Sequence, residues 1–400
     1  GYLSALLVLS TLGYGFSTRP HLFTYLAVAI AIHLLHRSPA FDCRHVCVFA
    51  ILGILWANLH GAFFIGAVLL GISIVTEAIG LLHSRNAVGN FRRVGWLLTA
   101  LVAFIAASML NPYGWNLWQF VFQSAHLFRP HLSEWAPFNP MTDIADHVDF
   151  VALVVLCVAA LIMSRQPKRP AAISTLLVAL GAACAMRRNI PLFAIAAAML
   201  IPGHIQAAFG KRVDGVIRGM PTAIPSAILA GFIGVSIAWL AVGRSKIPWT
   251  IEVQRDRYPV DIIEALQSGP VKGNLLTFFD WGEYAIWKQY PYGRVFLDGR
   301  LDCCYSKTVI EDYLAFFYAR TPADRERALE AYPTDLVLVS AKDPAFDFMS
   351  ERPGWTLVMT TPIAGLFARD SVHHVWIEEL RARKSLPFVF GSDPSPAVFP

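Results

Sequence analysis

Charge is scarce in this sequence. Of 400 residues only 15% are Asp, Glu, Lys or Arg, against 56% apolar, where globular chains carry about 25% charged residues. The formal net charge is +5, with no lysine/arginine run, so nothing marks a nucleic-acid face and that class of partner is set aside. The six cysteines have no metal-ligand spacing. Cys43, Cys47, Cys157 and Cys184 read as small apolar fillers in or beside apolar runs, and the adjacent Cys303 and Cys304 do not pair easily with each other. No G-x-x-x-x-G-K-[ST] or G-x-G-x-x-G loop occurs, nor H-E-x-x-H, nor G-x-S-x-G. ATP-driven transport and serine-hydrolase chemistry therefore lack support.

What is present is divided. The apolar excess lies almost wholly before residue 245 and the charge mostly after it. This predicts a polytopic α-helical membrane domain followed by a small external α/β domain. Candidate spans are 1–16, 22–36, 46–58, 62–82, 94–110, 148–163, 172–186, 190–202 and 223–243, several of them short for a bilayer that asks for about 20 residues. The chain opens on Gly1 inside an apolar run, which reads as a missing N-terminus. The expected divisions are a membrane domain of about nine spans over 1–243, a linker over 244–258, an α/β domain over 259–370, and a helix with a loose tail over 371–400.

Loops 37–45, 83–93, 164–171 and 203–222 carry eleven lysines and arginines, and loops 17–21, 59–61, 111–147 and 187–189 carry four. The first set is expected in the cytoplasm and the second outside. The outer loops are short and chemically particular: "STRPH", "NLHG", "LNPYG" and "MRRN". Arg19, His21, His60, Arg187 and Arg188 form an outer basic set, with Asn58, Asn111 and Asn189 as neutral donors. Guanidinium forks suit phosphate oxygens, so one reading is a lipid-phosphate site; the other is snorkelling to lipid headgroups. Glu134 in "HLSEWAPF" is a candidate base or cation ligand, its neighbour Trp135 expected to wall off water. A divalent cation is left open.

After residue 258, strand-like and helix-like segments alternate, favouring a small mixed sheet with helices packed on it. "LLTFF" and "RVFL" read as neighbouring strands, whose following loops should meet at one edge. Asp280, Trp281, Glu283, Tyr284, Asp298 and Arg300 are the candidate ligand-binding residues there. The competing reading makes Asp280 a helix cap, Asp298-Gly299 a turn, and Asp298 with Arg300 a structural pair.

Arg19-Pro20-His21, Asn58-Leu59-His60-Gly61, Asn111-Pro112-Tyr113-Gly114, Trp281-Gly282-Glu283-Tyr284-Ala285-Ile286-Trp287 and Asp298-Gly299-Arg300 together resemble the motifs of bacterial polytopic proteins of the GT-C superfamily, which carry "RPH/RPQ", "NLHG", "NPYG" and "WGGYLIW…DGR". The resemblance covers most of the chain. It implies a glycosyltransferase of the bacterial inner (plasma) membrane, with its C-terminal domain periplasmic. Such an enzyme moves a sugar from a polyprenyl-phosphate carrier to a glycan, lipid or protein acceptor, with membrane lipid as its surroundings. The resemblance thereby implies that the ligand at the sheet edge is the acceptor. It also implies a catalytic carboxylate in a first external loop, expected in the missing N-terminal segment. The oligosaccharyltransferase catalytic subunit has a comparable W-W-D-Y-G turn; here the order is D-W-G-E-Y, so peptide binding does not carry over. The rivals are a lipid or solute transporter and a non-catalytic scaffold with an external binding domain. Apart from Glu77, few charges lie deep in the spans, which favours the enzyme over the transporter.

Overall fold

The computed structural model describes residues 2–15, 19–38, 40–82, 87–125, 133–218, 231, 234, 252–269, 271–301, 304–318, 321–390 and 397–398. Contacts divide the chain into two compact units, Gly1–Leu229 and Ala230–Pro400. The boundary falls before the expected one at 243. The ninth candidate span, 223–243, apart from residues 231 and 234, and most of the expected linker lie outside the described residues.

The first unit is helical: α1 Tyr2–Leu12, α2 His21–Arg37, α3 Cys43–Leu59, α4 Phe64–Leu81, α5 Ala87–Ser108, α6 Trp115–Ala125, α7 Val148–Met163, α8 Pro170–Ala185, α9 Ile190–Leu200 and α10 Pro202–Arg218. The other eight candidate spans are thus helical over most of their length, but length separates them. Among the described residues, Gly61–Leu81 (21 residues) and Phe91–Ser108 (18 residues) are long and apolar enough to cross a membrane. Arg187–Leu200 and Pro202–Gly210, bent by 60°, make a third if they form one broken span. Helices α2 and α3 run 17 residues each, about 25 Å at 1.5 Å per residue, short of a core about 30 Å thick.

Local chemistry sets the ends. Asp42 caps α3 by accepting the Arg44 amide at 3.0 Å. Pro170 and Pro191 stand in the first turns of α8 and α9, where a missing N–H leaves nothing unsatisfied. The core centres on Phe104, fully buried among Trp56, Gly53 and Gly66. A Cβ on Gly53 would stand 2.7 Å from the Phe104 carbonyl oxygen, so glycine is what lets α3 and α5 approach this closely. The opposite faces stay apolar: Ile51, Val75, Val102, Val155 and Ile162 are all exposed.

The second unit holds a six-stranded mixed sheet in the order β3-β2-β4-β6-β5-β7. Its strands are β2 Asn274–Thr277, β3 Arg294–Val295, β4 Leu336–Ser340, β5 Trp355–Thr360, β6 Ala364–Arg369 and β7 Phe388–Val389. Helices α11 Val260–Ser268, α12 Gly282–Gln289, α13 Lys307–Tyr318, α14 Pro322–Glu330, α15 Pro344–Glu351 and α16 Asp370–Ala382 accompany it. The run "LVLVS" is continuously apolar because both faces are covered. Leu336 and Leu338 join one cluster with Ile262, Ala285 and Ile377; Val337 and Val339 join another with Phe316, Leu329 and Met349. That alternation is the two-residue period of a strand. The expected strand over "RVFL" is only Arg294–Val295; it neighbours β2 as anticipated, and the two run parallel. The helix expected over 371–400 is α16, which belongs to this unit; of the expected loose tail, residues 391–396 and 399–400 lie outside the described residues. Ile377 of α16 is core, β7 extends the sheet, and β8 Ala397–Val398 pairs antiparallel with β1 Glu252–Val253.

Candidate functional site

Helix α8 stops at Met186, whose backbone turns extended, and a single 3-10 turn, Arg187–Asn189, leads straight into α9. The loop from Ser133 is stitched to this turn: the Arg187 amide donates to the Ala136 carbonyl at 3.1 Å and the Phe138 amide to the Cys184 carbonyl at 2.9 Å. The stitching brings the guanidinium of Arg188 to 4.3 Å from the centre of the Trp135 ring, a cation–π contact. Glu134, next along, lies 3.5 Å from Arg19, and both side chains are about half exposed or more. Trp135 therefore stacks on Arg188 instead of walling off Glu134. The charges of Arg188 and Glu134 both reach Tyr25 of α2.

The imidazoles sit in the same place. The ring centres of His21 and His60 are 6.4 Å apart. His21 Nε2 donates to the Gly15 carbonyl at 2.7 Å. His60, just past the end of α3, meets the Thr24 hydroxyl through Nδ1 at 2.7 Å, and the Trp56 indole N–H donates to the same hydroxyl oxygen at 2.8 Å. Burial first, then the charges of Arg188 and His21, pull His60 down to about 4, so the ring is neutral near pH 7.

Arg19, His21, His60, Arg188 and Glu134, from four separate segments, are thus neighbours. The remaining candidates are placed differently. Arg187 faces Asp143 at 3.5 Å, and its Nε is buried with no hydrogen-bond partner among the described residues. The Asp143 carboxyl is held below its usual range by the Asn139 amide and the Thr142 hydroxyl, with burial opposing and Arg187 adding to the effect. Asn58 donates to the Ile54 and Leu110 carbonyls, Asn189 to the Ala182 carbonyl, and Asn111 closes its own turn. The donors expected to meet a ligand are spent on backbone. Among the described residues no group of three His, Cys, Asp or Glu side chains gathers to hold a metal ion.

In the second unit, β2 and β3 run parallel, so the chain leaves both at the same sheet edge. An open depression of about 450 Å³ there is lined by Glu283, Ile286, Trp287, Tyr290, Asp298 and Arg300. Three of the six candidate acceptor residues line it. Trp281 and Tyr284 are instead buried core, with the Trp281 indole donating to the Arg257 carbonyl at 2.9 Å. Asp280 is exposed and outside the lining. Asp298 is fully buried and bound to Arg300 and Tyr305, and Glu283 accepts the Gly299 amide at 2.7 Å. The sequence reading missed Tyr305, Trp287 and Tyr290, and also Thr24 and Trp56. Trp287 and Tyr290 carried a signal, being large aromatics in a polar helix end; Thr24 carried none.

No known family model matches the sequence, and no curated protein matches it.

Proposed function

We propose that the chain is a polytopic membrane glycosyltransferase of GT-C type, whose first unit binds the phosphate of a polyprenyl-linked sugar. The observation that carries this reading is the convergence of Arg19, His21, His60 and Arg188 around Glu134. Such a cluster offers guanidinium and imidazole donors to an anion, and donors aimed at a leaving phosphate stabilise the charge that develops there. The Arg19–Glu134 pair is exposed and long, the kind worth roughly 0–1 kcal/mol, so Arg19 exchanges it for a phosphate at little cost. In the transfer an acceptor hydroxyl oxygen bonds to the sugar's anomeric carbon, and the bond from that carbon to the phosphate oxygen breaks. The lipid phosphate leaves with the electron pair. The hydroxyl proton passes to a carboxylate, for which Glu134 is the candidate in this cluster.

The membrane reading draws on the exposed apolar side chains of the first unit. Only 28% of the apolar window in Gly61–Leu81 and 33% of that in Phe91–Ser108 is buried within the protein, and helices apolar on all faces need an apolar surrounding. Transport draws less support: Glu77, the deep carboxylate, is already paired with Arg93 at 2.9 Å. The depression beside Glu283 and Arg300 is the candidate acceptor surface, and a periplasmic location for the second unit belongs to the same proposal.

The test incubates the full chain, in membranes, with polyprenyl phosphate carrying a radiolabelled sugar, together with crude acceptor. Label leaving the lipid supports the enzyme. Label crossing the bilayer while still on lipid supports a transporter, and no change in either sinks both.

A further inference from the structure

We propose that Thr24 and Trp56, buried beside the arginine cluster, fix His60 as the neutral tautomer with its proton on Nε2, so that His60 meets a phosphate as an uncharged donor and not as a base. The phosphate half of this rests on the reading above; the position of the proton does not.

An indole N–H only donates, so the 2.8 Å contact from Trp56 makes the Thr24 oxygen an acceptor. Thr24 is 2% exposed and Trp56 1%, so water does not serve them. The hydroxyl hydrogen of Thr24 needs an acceptor of its own. Among the described residues the other hydrogen-bond partner of that hydroxyl is His60 Nδ1, at 2.7 Å. The hydroxyl therefore donates, Nδ1 presents a lone pair, and the ring proton sits on Nε2. The reverse arrangement would aim two donors at one oxygen and strand the hydroxyl hydrogen in a dry site. An imidazolium makes the same error, because both of its nitrogens donate.

The charged and titratable groups facing His60 agree. Arg188 from the turn before α9 and His21 from α2 both act against a proton on it. A neutral donor adds a hydrogen bond to an anion without a further positive charge beside Arg188. It also keeps anion recognition from titrating near neutral pH, where a histidine ordinarily switches. Thr24 and Trp56 are positioning residues in this scheme, since they act through His60.

The test uses the full chain in lipid nanodiscs with ¹⁵N-labelled histidine, the His60 signals being assigned by their loss in His60→Asn. The expected spectrum shows a protonated Nε2 and a bare Nδ1, unchanged from roughly pH 5.5 to 8. Thr24→Val keeps the volume and removes the hydroxyl. It is expected to populate both tautomers and to move the titration toward the ordinary histidine range, and Thr24→Ser is expected to restore the wild-type pattern. A proton on Nδ1 in the wild type, or a Thr24→Val spectrum identical to it, overturns the assignment. The wild-type spectrum decides the point even where a variant misfolds. Two additions separate the sources of phosphate. Polyprenyl phosphate in the disc, but not inorganic phosphate, is expected to shift Nε2. A shift with both makes the site a general phosphate binder and still supports the donor role. A shift with neither overturns that role and counts against the phosphate reading of the cluster, while the tautomer is judged on the phosphate-free spectra of the wild type and the Thr24 variants.

Discussion

Arg300 reaches back two residues to clasp Asp298, its Nε 2.8 Å from Oδ1 and its Nη2 2.6 Å from Oδ2. The Arg300 amide adds a third bond to Oδ1 at 2.9 Å, and the Tyr305 hydroxyl donates to Oδ2. Asp298 is fully buried while the Arg300 side chain is 60% exposed. The "DGR" turn is thus an ion pair folded onto itself, with the carboxylate inside and the guanidinium at the lip of the depression.

Removing the guanidinium leaves a buried carboxylate short of donors, a change that typically costs about 3–5 kcal/mol. Arg300→Ala is expected to fall near the lower end, about 3 kcal/mol, because Tyr305 and the backbone amide still donate. Hydrogen exchange on peptides covering 294–305 of the full chain measures it as lost protection. The sign of the pH effect follows from the same contacts. Burial alone would raise the Asp298 carboxyl, but the bonds from Arg300 and Tyr305 outweigh it and the net direction is down. The unfolded segment therefore takes up a proton at higher pH than the folded one. The stabilisation is fully present above the ordinary carboxylate value, about pH 4, and is lost as pH falls through the depressed one. Protection should drop on acidification in the wild type and drop less in Asp298→Asn.

Arg188 combines a charge with a ring contact, and the two are separable. Arg188→Lys keeps the charge but not the planar fork that stacks on Trp135, whereas Arg188→Ala removes both. A charge-assisted hydrogen bond is worth about 1.5–3 kcal/mol, so sugar release from the lipid carrier should fall about 10- to 100-fold in Arg188→Ala, and part of it should survive in Arg188→Lys. Arg187, already set against Asp143, should matter through the loop it holds. Equal losses in Arg187→Gln and Arg188→Ala, with both variants inserted normally, would contradict this division.

Close packing of α3 on α5 gives a test that involves no function. A methyl on Gly53 meets a backbone oxygen, which cannot swing aside as a side chain can, while Gly71 has nothing within 4 Å of where its Cβ would be. Gly53→Ala should lower stability by about 1–3 kcal/mol, the usual cost of overpacking. Gly71→Ala should be neutral or stabilising by up to about 1 kcal/mol, since alanine is the better helix former. Thermal unfolding in detergent compares the pair.

How far these features were legible differs by kind. The helices followed apolar runs, because such a run is a local pattern repeated over several residues; that "LVLVS" is covered on both faces came only with the two clusters its side chains join. Helix lengths were less legible: the reading needed spans, and α2 and α3 stop at 17 residues, where Ser38 and His60 take extended backbone. The meeting of Trp135 with Arg188 could not be seen at all. It depends on the Ala136–Arg187 backbone bond, which joins segments some fifty residues apart and leaves no mark in either. Trp281 and Tyr284 looked like site residues because they stand beside Asp280 and Glu283, and a pattern of neighbours does not say which side chains turn inward. The sheet does: Trp281 and Tyr284 are packed in the cluster around Leu336 and Leu338, while Glu283 and Trp287 lie on the exposed side.

That division points to Trp287 as the residue by which the second unit would recognise an acceptor. Trp287 is 42% exposed in a depression it shares with Tyr290, Glu283 and Arg300. Lys288 lies 4.3 Å from the ring centre and within 3.8 Å of Glu264, so the indole is held in place at one side and open at another. An exposed aromatic face beside polar groups suits the apolar face and hydroxyl rim of a sugar ring, and pockets commonly pair apolar walls with a few fixed polar groups. Trp287→Ala should leave the fold intact, since the ring is not core. It should raise KM for a glycan acceptor about tenfold with kcat little changed, the signature of lost binding common to ground and transition states. Release of sugar to water in the absence of acceptor should not change. A fall in that acceptor-free rate would place Trp287 in the donor chemistry and remove the acceptor assignment.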